Sequence, residues 1–249
     1  MNTVYILWLR QLKRYFRSKS RIIGSLGQPL LFLVALGFGF GPVFQRAGEG
    51  NYISFLVPGV ISMSIIFTAV FSGIEVIWDR QFGFLKETLV APISRLNIMI
   101  GRTLGGATVA FLQGMIVFIL SFLVGFRIKN GIYFIFLALL FMFLIALLFT
   151  ALGTAIASVL KDMQGFQLIV NFLLMPLFFL SGALFPFEGL PKVFEIIIRF
   201  NPLAYGVDGL RGCLSNGFHF GLHIDLLFLS LIAVAFLTIG AYLFSKIEI

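Results

Sequence analysis

Long apolar runs, separated by short polar or charged stretches, dominate the pattern of this chain. A helix needs about 20 apolar residues to cross a hydrocarbon core of roughly 30 Å. Six runs have about this length, and they lack the short alternating pattern of barrel strands. The pattern therefore predicts an all-α membrane protein with six transmembrane helices. The predicted spans are residues 22–44, 52–78, 98–126, 132–159, 166–184 and 224–244.

The residues before the first span have a different pattern, with apolar and basic positions on opposite arcs of a helical wheel. The apolar arc holds Val4, Tyr5, Trp8, Leu9, Leu12, Tyr15 and Phe16, and the basic arc holds Arg10, Lys13, Arg14 and Arg17. This separation predicts a helix that lies in the cytoplasmic interface, with its basic side chains toward anionic headgroups. The alternative, a plain basic flank, explains the charges but not the apolar arc.

Composition and charge fix the class and the orientation of the chain. A mean hydropathy of +1.07 with 11% charged residues excludes a water-soluble domain. With the N-terminus inside, twelve of the 18 Lys and Arg residues lie on the cytoplasmic side, which predicts that both termini are cytoplasmic. The net charge of +8 then requires no nucleic acid partner. We predict one multi-pass domain in the plasma membrane over residues 1–249. It divides into an interfacial helix (1–21), five spans (22–184), an outer region (185–222) and the last span with the C-terminus (223–249).

A charged insert, WDRQFGFLKETLVAPISR, separates the second and third spans on the predicted cytoplasmic side. Phe82, Leu85 and Leu89 have the i, i+3, i+7 spacing of one helical stripe, which is expected to rest on the membrane or on the helix ends. Phe84 points away from that stripe, among charged residues. An exposed aromatic side chain among charges predicts a protein partner. The alternative is an ordinary solvated loop helix.

The stretch LFPFEGLPKVFEIIIRFNPLAYGVDGLRG, on the predicted outer side, is too interrupted to span and too apolar to be fully solvated. Pro191 can begin one short helix. Asn201 and Pro202 have the residue types of an N-cap and a first helical position, and they predict a second helix. On that helix Asp208 and Arg211 lie three residues apart and are expected to pair. The two helices either dip into the outer leaflet or lie flat on the headgroups, and the periodicity does not separate these alternatives.

Candidate chemistry within the chain is sparse. Glu75 lies in the second span one turn before Asp79, and we expect it to be hydrated or paired with Arg rather than to relay protons. His219 and His223 are four residues apart but lack the Glu of a zinc-protease motif, so no metal site is predicted. The chain has no G-x-x-x-x-G-K-[ST] phosphate loop, so we predict no catalytic residues and no ATP hydrolysis on this polypeptide. Gly101 and Gly105 form a G-x-x-x-G pair, which predicts close helix contact.

Two motifs carry a resemblance to a known family. The charged insert resembles the cytoplasmic coupling segment of permease subunits of ABC type-2 exporters, and NPLAYGVDGLRG resembles the signature before their last span. The resemblance covers the whole chain, with one departure at Gln81, where an acidic residue is usual. It implies that a nucleotide-binding subunit docks on Asp79, Arg80, Phe84, Leu85, Lys86 and Glu87. It also implies an outer re-entrant element formed by Asn201, Pro202, Tyr205, Asp208 and Arg211.

The resemblance further implies the partners and the activity. The partners would be a cytoplasmic ABC ATPase, a second permease copy in a homodimer, and membrane lipids. ATP and Mg would bind to the ATPase, and no cofactor to this chain. The substrate moved outward would be an amphipathic drug, a lipid or a lipid-linked compound, with a lipid-linked polysaccharide as the alternative. A secondary carrier should show internal repeats and charged sites at mid-membrane. A membrane enzyme should gather His, Asp, Glu or Ser at one interface, and only the HFGLH stretch comes close to this.

Overall fold

A computed structural model describes residues 3–46, 51–90, 93–186, 191–215 and 217–247, and these residues form an all-helical fold. The helices are α1 Thr3–Arg17, α2 Lys19–Arg46, α3 Tyr52–Phe71, α4 Ile74–Gln81, α5 Phe84–Val90, α6 Arg95–Ser121, α7 Ile132–Val159, α8 Met163–Phe179, α9 Lys192–Phe200, α10 Pro202–Ser215 and α11 Leu222–Ser245. A 3₁₀ turn, Phe122–Val124, extends α6. The prediction of an all-α fold is confirmed.

Five helical segments in the described residues are long and apolar enough to cross a membrane. They are Lys19–Phe44, Tyr52–Gln81, Arg95–Val124, Ile132–Val159 and Leu222–Ser245. The chain is therefore a multi-pass membrane protein, but the sixth predicted span, residues 166–184, is not confirmed. That run forms the 17-residue helix α8, which is about 26 Å long at 1.5 Å per residue. Helix α8 ends three residues after Pro176, and Gly182 then adopts a φ of 71° that reverses the chain.

Helix α7 forms the centre of the bundle and packs against α3, α6, α10 and α11. Its small residues allow very close approach to the neighbouring backbone. A Cβ at Gly153 would collide with the carbonyl of Val70, and one at Gly73 would collide with the carbonyl of Gly153. The break between α3 and α4, at Ser72 and Gly73, is therefore seated directly on α7.

Helix α1 packs along α6 in the same chain direction. A Cβ at Gly101 would lie 3.0 Å from the Cβ of Leu7, and one at Gly105 would lie 2.6 Å from the Cγ of Gln11. The close contact predicted for this glycine pair is confirmed. The predicted apolar arc is only partly right, because Leu7 and Gln11 are buried although neither lies on it, and Tyr5 is exposed. Contact with α6, rather than lipid alone, sets the orientation of this helix.

The charged insert forms two helices, not one continuous helix. Gly83, with a φ of 83°, separates α4 from α5. Leu85 is buried at 1% exposure, whereas Phe82 is 80% exposed. The predicted stripe of Phe82, Leu85 and Leu89 is therefore wrong for Phe82, because the wheel assumed an unbroken helix. The side chain of Leu89 lies outside the described part of the structure.

Helix α9 begins directly after Pro191, as predicted. On this helix Ile198 is buried, whereas Val193, Phe194 and Ile197 are exposed. Helix α10 differs, since nearly all its side chains are buried against α3, α7 and α11. That both helices dip into the outer leaflet stays a prediction.

Candidate functional site: a charged junction on α4

One end of the bundle, here called the basic end, holds Arg10, Arg21, Arg80, Arg95 and Arg102 with the helix termini that they contact. Helix α4 lies at this end and continues the second span toward α5. Its side chains reach five other helices, so we call α4 and the groups bound to it the α4 junction.

Asp79 is the most strongly bound group of the α4 junction. Its carboxylate accepts two hydrogen bonds of 3.0 Å from the guanidinium of Arg10 on α1, and another from Arg102 on α6. Arg102 is only 4% exposed, although it lies inside a candidate membrane span. A charge buried in this way is tolerated only when it is paired, so Asp79 and Arg102 depend on each other.

Glu75, one turn earlier on the same face of α4, binds two further arginines. Its Oε1 lies 3.1 Å from Nη1 of Arg21 on α2, and its Oε2 lies 3.6 Å from Nη1 of Arg14 on α1. The prediction that this acid is paired with Arg is confirmed. The matched i, i+4 spacings, Arg10 and Arg14 against Asp79 and Glu75, fix α1 antiparallel to α4. Arg10 and Arg14 therefore point to carboxylates, and not to headgroups as the helical wheel suggested.

The other side of α4 binds the connection between α7 and α8. The guanidinium of Arg80 donates to the carbonyls of Ser158 and Leu160, at 3.1 and 3.2 Å, and so caps the C-terminus of α7. A cation at this position also interacts favourably with the helix dipole. The indole of Trp78 donates to Sδ of Met163 on α8 at 2.6 Å. Gln81, the departure from the family pattern, donates to the carbonyl of Lys161 at 3.4 Å.

Helix α5 covers the junction at the basic end. The ring of Phe84 is half-buried beneath Arg10, whose Cζ lies 3.8 Å from the ring centroid. Leu85 is buried, Glu87 is exposed, and the side chain of Lys86 lies outside the described part of the chain. Of the residues predicted to dock a partner, Asp79, Arg80 and Leu85 therefore lie inward, and Glu87 lies outward. The strongly exposed aromatic side chain is that of Phe82, not Phe84.

The geometry of the junction suits mechanical coupling better than chemistry. Two buried carboxylates are shared by four guanidinium groups from three helices, and the Asp79–Arg102 pair is buried on both sides. A displacement of α4 must therefore move α1, α2 and α6 with it or break these ion pairs. Helix α5 follows α4 after a single turn and is exposed at Glu87 and Val90. A force applied to α5 is thereby transmitted to several membrane helices at once.

The predicted outer element lies at the opposite end. Asn201 is buried, and its amide donates to the carbonyls of Leu177 and Leu180 at the end of α8, at 2.7 and 3.0 Å. Its Oδ1 accepts from the backbone N–H of Leu203 at 3.0 Å, which confirms the predicted N-cap ahead of Pro202. The Tyr205 hydroxyl donates to the carbonyl of Arg199, and its ring stacks on Phe220 and Phe228.

The predicted pairing of Asp208 with Arg211 is wrong. The Asp208 carboxylate accepts from the backbone N–H groups of His219 and Phe220 at 2.8 to 2.9 Å. Arg211 donates to the carbonyls of Phe55 and Gly182, at 3.3 and 2.8 Å, and its Cζ lies 3.8 Å from the centroid of the Phe55 ring. Burial lowers the pKa of Arg211 to about 10, opposed by Asp208, so the guanidinium remains charged at neutral pH. The sequence spacing allowed a pair, but backbone groups of other segments of the chain satisfy both charges instead.

Sequence reasoning missed the partners of the α4 junction. Arg102 was counted as a basic residue at a membrane end, although it is seven residues inside α6. The signal that could have found the junction was the repeated i, i+4 spacing of Glu75 and Asp79 with Arg10 and Arg14. Opposite charges at equal spacing on two helices predict pairing, but only once the helices are known to be neighbours.

Comparison with known proteins identifies relatives over most of the chain. The ABC-2 type transporter family matches residues 2–215. A transport permease ycf38 of Cyanophora paradoxa is 28% identical over 215 residues, covering 84% of this chain and 72% of that protein. Nodulation protein J of Rhizobium leguminosarum bv. trifolii is 29% identical over 209 residues, covering 83% and 76%. A transport permease ycf38 of Porphyra purpurea is 30% identical over 207 residues, covering 81% and 70%.

Proposed function

Because this chain belongs to the ABC-2 type transporter family, we propose that it is the membrane subunit of an ATP-driven exporter. It moves an amphipathic drug, lipid or lipid-linked substrate outward across the plasma membrane. ATP and Mg bind to a separate cytoplasmic ABC ATPase, and two copies of this chain form a homodimer.

One observation carries the proposal, namely the position of α5 on the α4 junction. Helix α5 is short and partly exposed, and it follows α4, whose buried carboxylates form ion pairs with α1, α2 and α6. Arg80 extends this connection to α7. A partner that pushes α5 therefore displaces membrane helices, which is the mechanical requirement for coupling hydrolysis to transport.

The proposed docking surface consists of the outward groups around α5, with Phe82 as its central aromatic side chain. Phe82 is 80% exposed, and Glu87 and Val90 are exposed beside it. Large aromatic side chains contribute most at protein interfaces when they enter a pocket on the partner. Asp79, Arg80, Phe84 and Leu85 support this surface from beneath.

Co-purification with the ABC ATPases of the same organism tests the proposal. We expect Phe82→Ala to weaken ATPase binding by about 2 kcal/mol, the contribution of a central interface aromatic, without loss of folding. Phe122→Ala is the matched control, since Phe122 is also exposed but lies at the opposite end of α6. Full ATPase binding and full transport by Phe82→Ala would contradict docking at this surface. Failure of the wild-type chain to bind any ABC ATPase would contradict the proposed function itself.

A further inference from the structure

A cleft with a mixed polar and apolar lining lies between α1, α2 and α3, in the third of the span Lys19–Phe44 nearest the basic end. It has a volume of about 250 Å³ and is lined by side chains of all three helices, including Tyr15, Arg21, Ser25, Gln28, Ser64 and Thr68. Met63, Phe67 and Phe71 form its apolar wall. On α2 the polar lining extends from Arg21 to Gln28, which is about 10 Å at 1.5 Å per residue. The α4 junction lies at one end of the cleft, where Arg21 binds Glu75.

Two polar groups of the lining, the hydroxyl of Ser64 and the amide of Gln28, destabilise the protein when they have no hydrogen-bond partner. Ser64 is 4% exposed, and its hydroxyl has no hydrogen-bond partner among the described residues. A buried hydroxyl without a hydrogen-bond partner destabilises the fold. Gln28 presents an exposed amide nine residues inside the apolar span Lys19–Phe44, where lipid cannot satisfy it. The cleft is also open at the side, since a Cβ at Gly24 would meet nothing within 4 Å.

The hydrogen-bonding capacity of the lining indicates the ligand chemistry. Ser25 and Tyr15 already donate, to the carbonyl of Ile22 and to Gln113, so their oxygens are left to accept. The amide of Gln28 and the hydroxyl of Ser64 are able to donate. Apart from Arg21, which is bound to Glu75, the named polar lining is uncharged. A lining that offers both donors and acceptors without free charge matches hydroxyl groups, which donate and accept.

We propose that this cleft receives the hydroxyl-bearing, sugar-like polar head of an amphipathic substrate while its apolar chain remains in the lipid. The volume is below the roughly 300 Å³ of the smallest ordinary small-molecule sites, so it admits a head group and not a whole amphiphile. This inference rests on the proposed export function and specifies its substrate class. Within that class it favours glycosylated lipids over purely apolar drugs.

Photo-crosslinking of the full chain in lipid nanodiscs, without ATPase, tests this assignment. The probe is octyl glucoside that carries a diazirine on the alkyl carbon next to the sugar. The comparison probe is octanol with a diazirine on the same carbon, which lacks the sugar. We expect the glucoside probe to label residues 24–28 and 63–68 at least fivefold more than the octanol probe. Ser64→Ala should lower this labelling at least threefold, while its thermal unfolding temperature is unchanged or raised, because a buried unsatisfied group is removed.

Ser62→Ala is the matched control, because Ser62 lies two residues away, is also buried, and donates to the carbonyl of Pro58 at 2.9 Å. It should not change labelling. Equal labelling by the octanol probe, or undiminished labelling of Ser64→Ala, would overturn the proposal. Crosslinking between two copies of the protein tests whether Gln28 faces a second copy instead. A Gln28→Leu variant that loses this crosslinking but is labelled normally by the glucoside probe would also overturn the proposal. Loss of ATPase binding with normal cleft labelling would contradict the export function and leave the cleft assignment standing.

Discussion

At the scale of single residues, the α4 junction depends on buried carboxylates that are paired with arginines. Asp79 and Arg102 are the clearest example, since each is almost completely buried and each binds the other. Such a pair adds little net stability over an apolar pair, but removing one partner leaves an uncompensated charge. Replacing either residue alone should therefore lower stability more than replacing both.

We predict that Asp79→Asn lowers the free energy of unfolding by about 3–5 kcal/mol, because Arg102 is left buried without its counter-ion. Asp79→Asn combined with Arg102→Met should be less destabilised than Asp79→Asn alone. Thermal unfolding of the purified chain in detergent measures both effects. Glu87→Gln is the control, since Glu87 is exposed and its loss should be near neutral. A double variant no more stable than the single variant would show that the pair is not coupled.

Asn201 provides a second prediction at this scale, because one side chain joins the ends of two helices. Asn201→Ala removes two donated hydrogen bonds to α8 and the N-cap of α10, and should cost about 2–3 kcal/mol of unfolding free energy. Asn201→Ser keeps a cap oxygen but does not reach α8, so it should recover about 1 kcal/mol. Chemical denaturation in mixed micelles measures the series. Identical losses for Ala and Ser would indicate that the cap contributes nothing.

At the scale of elements, glycine positions determine how closely the helices approach. The contact of α7 with the α3–α4 break is made through backbone atoms at Gly153 and Gly73. A side chain there cannot rotate away, because the atoms that it meets belong to the main chain. Glycine in this contact is a packing requirement and not a matter of helix propensity.

Gly153→Ala should therefore reduce the thermal stability of the folded chain and weaken the α4 junction, with a cost of about 1–3 kcal/mol, as for overpacked cores. Gly39→Ala is the control, since a Cβ at Gly39 in α2 would meet nothing within 4 Å. That change should leave stability unaltered or slightly higher, because Ala is the better helix former. Thermal unfolding monitored by circular dichroism compares the two. Equal responses would argue against close packing at Gly153.

The elements were more predictable from the sequence than their partners. Apolar runs and the cap residues Pro191, Asn201 and Pro202 predicted most helices and two of their start points, because these signals are local. The junction was not predictable, since Asp79 and Arg102 meet only after α4 and α6 pack. Phe82 and Leu85 were assigned to one stripe because the turn at Gly83 was not recognised. The predicted pairing of Asp208 with Arg211 is wrong because backbone groups from other segments of the chain bind each of them.

At the scale of the whole molecule, the bundle has two chemically different ends. The basic end collects arginines of α1, α2, α4 and α6, and the opposite end holds α9 and α10. If the positive-inside rule applies, the basic end faces the cytoplasm, which is where an ATPase would reach α5. The orientation of the chain therefore also determines the side of the membrane on which the ATPase binds.

Cysteine labelling in sealed cells measures this orientation directly. The native Cys213 is buried, so Cys213→Ala should provide a background that does not react and still folds. On it, Lys129→Cys and Lys192→Cys should react with a membrane-impermeant maleimide added outside, whereas Lys161→Cys should react only after the membrane is opened. All three lysines are exposed, so differences in labelling report the side of the membrane rather than burial. Because Lys161 adjoins the α7 terminus that Arg80 caps, its side also fixes that of the α4 junction. External labelling at position 161 would place α5 outside, beyond the reach of any cytoplasmic ATPase, and the proposed coupling would fail with it.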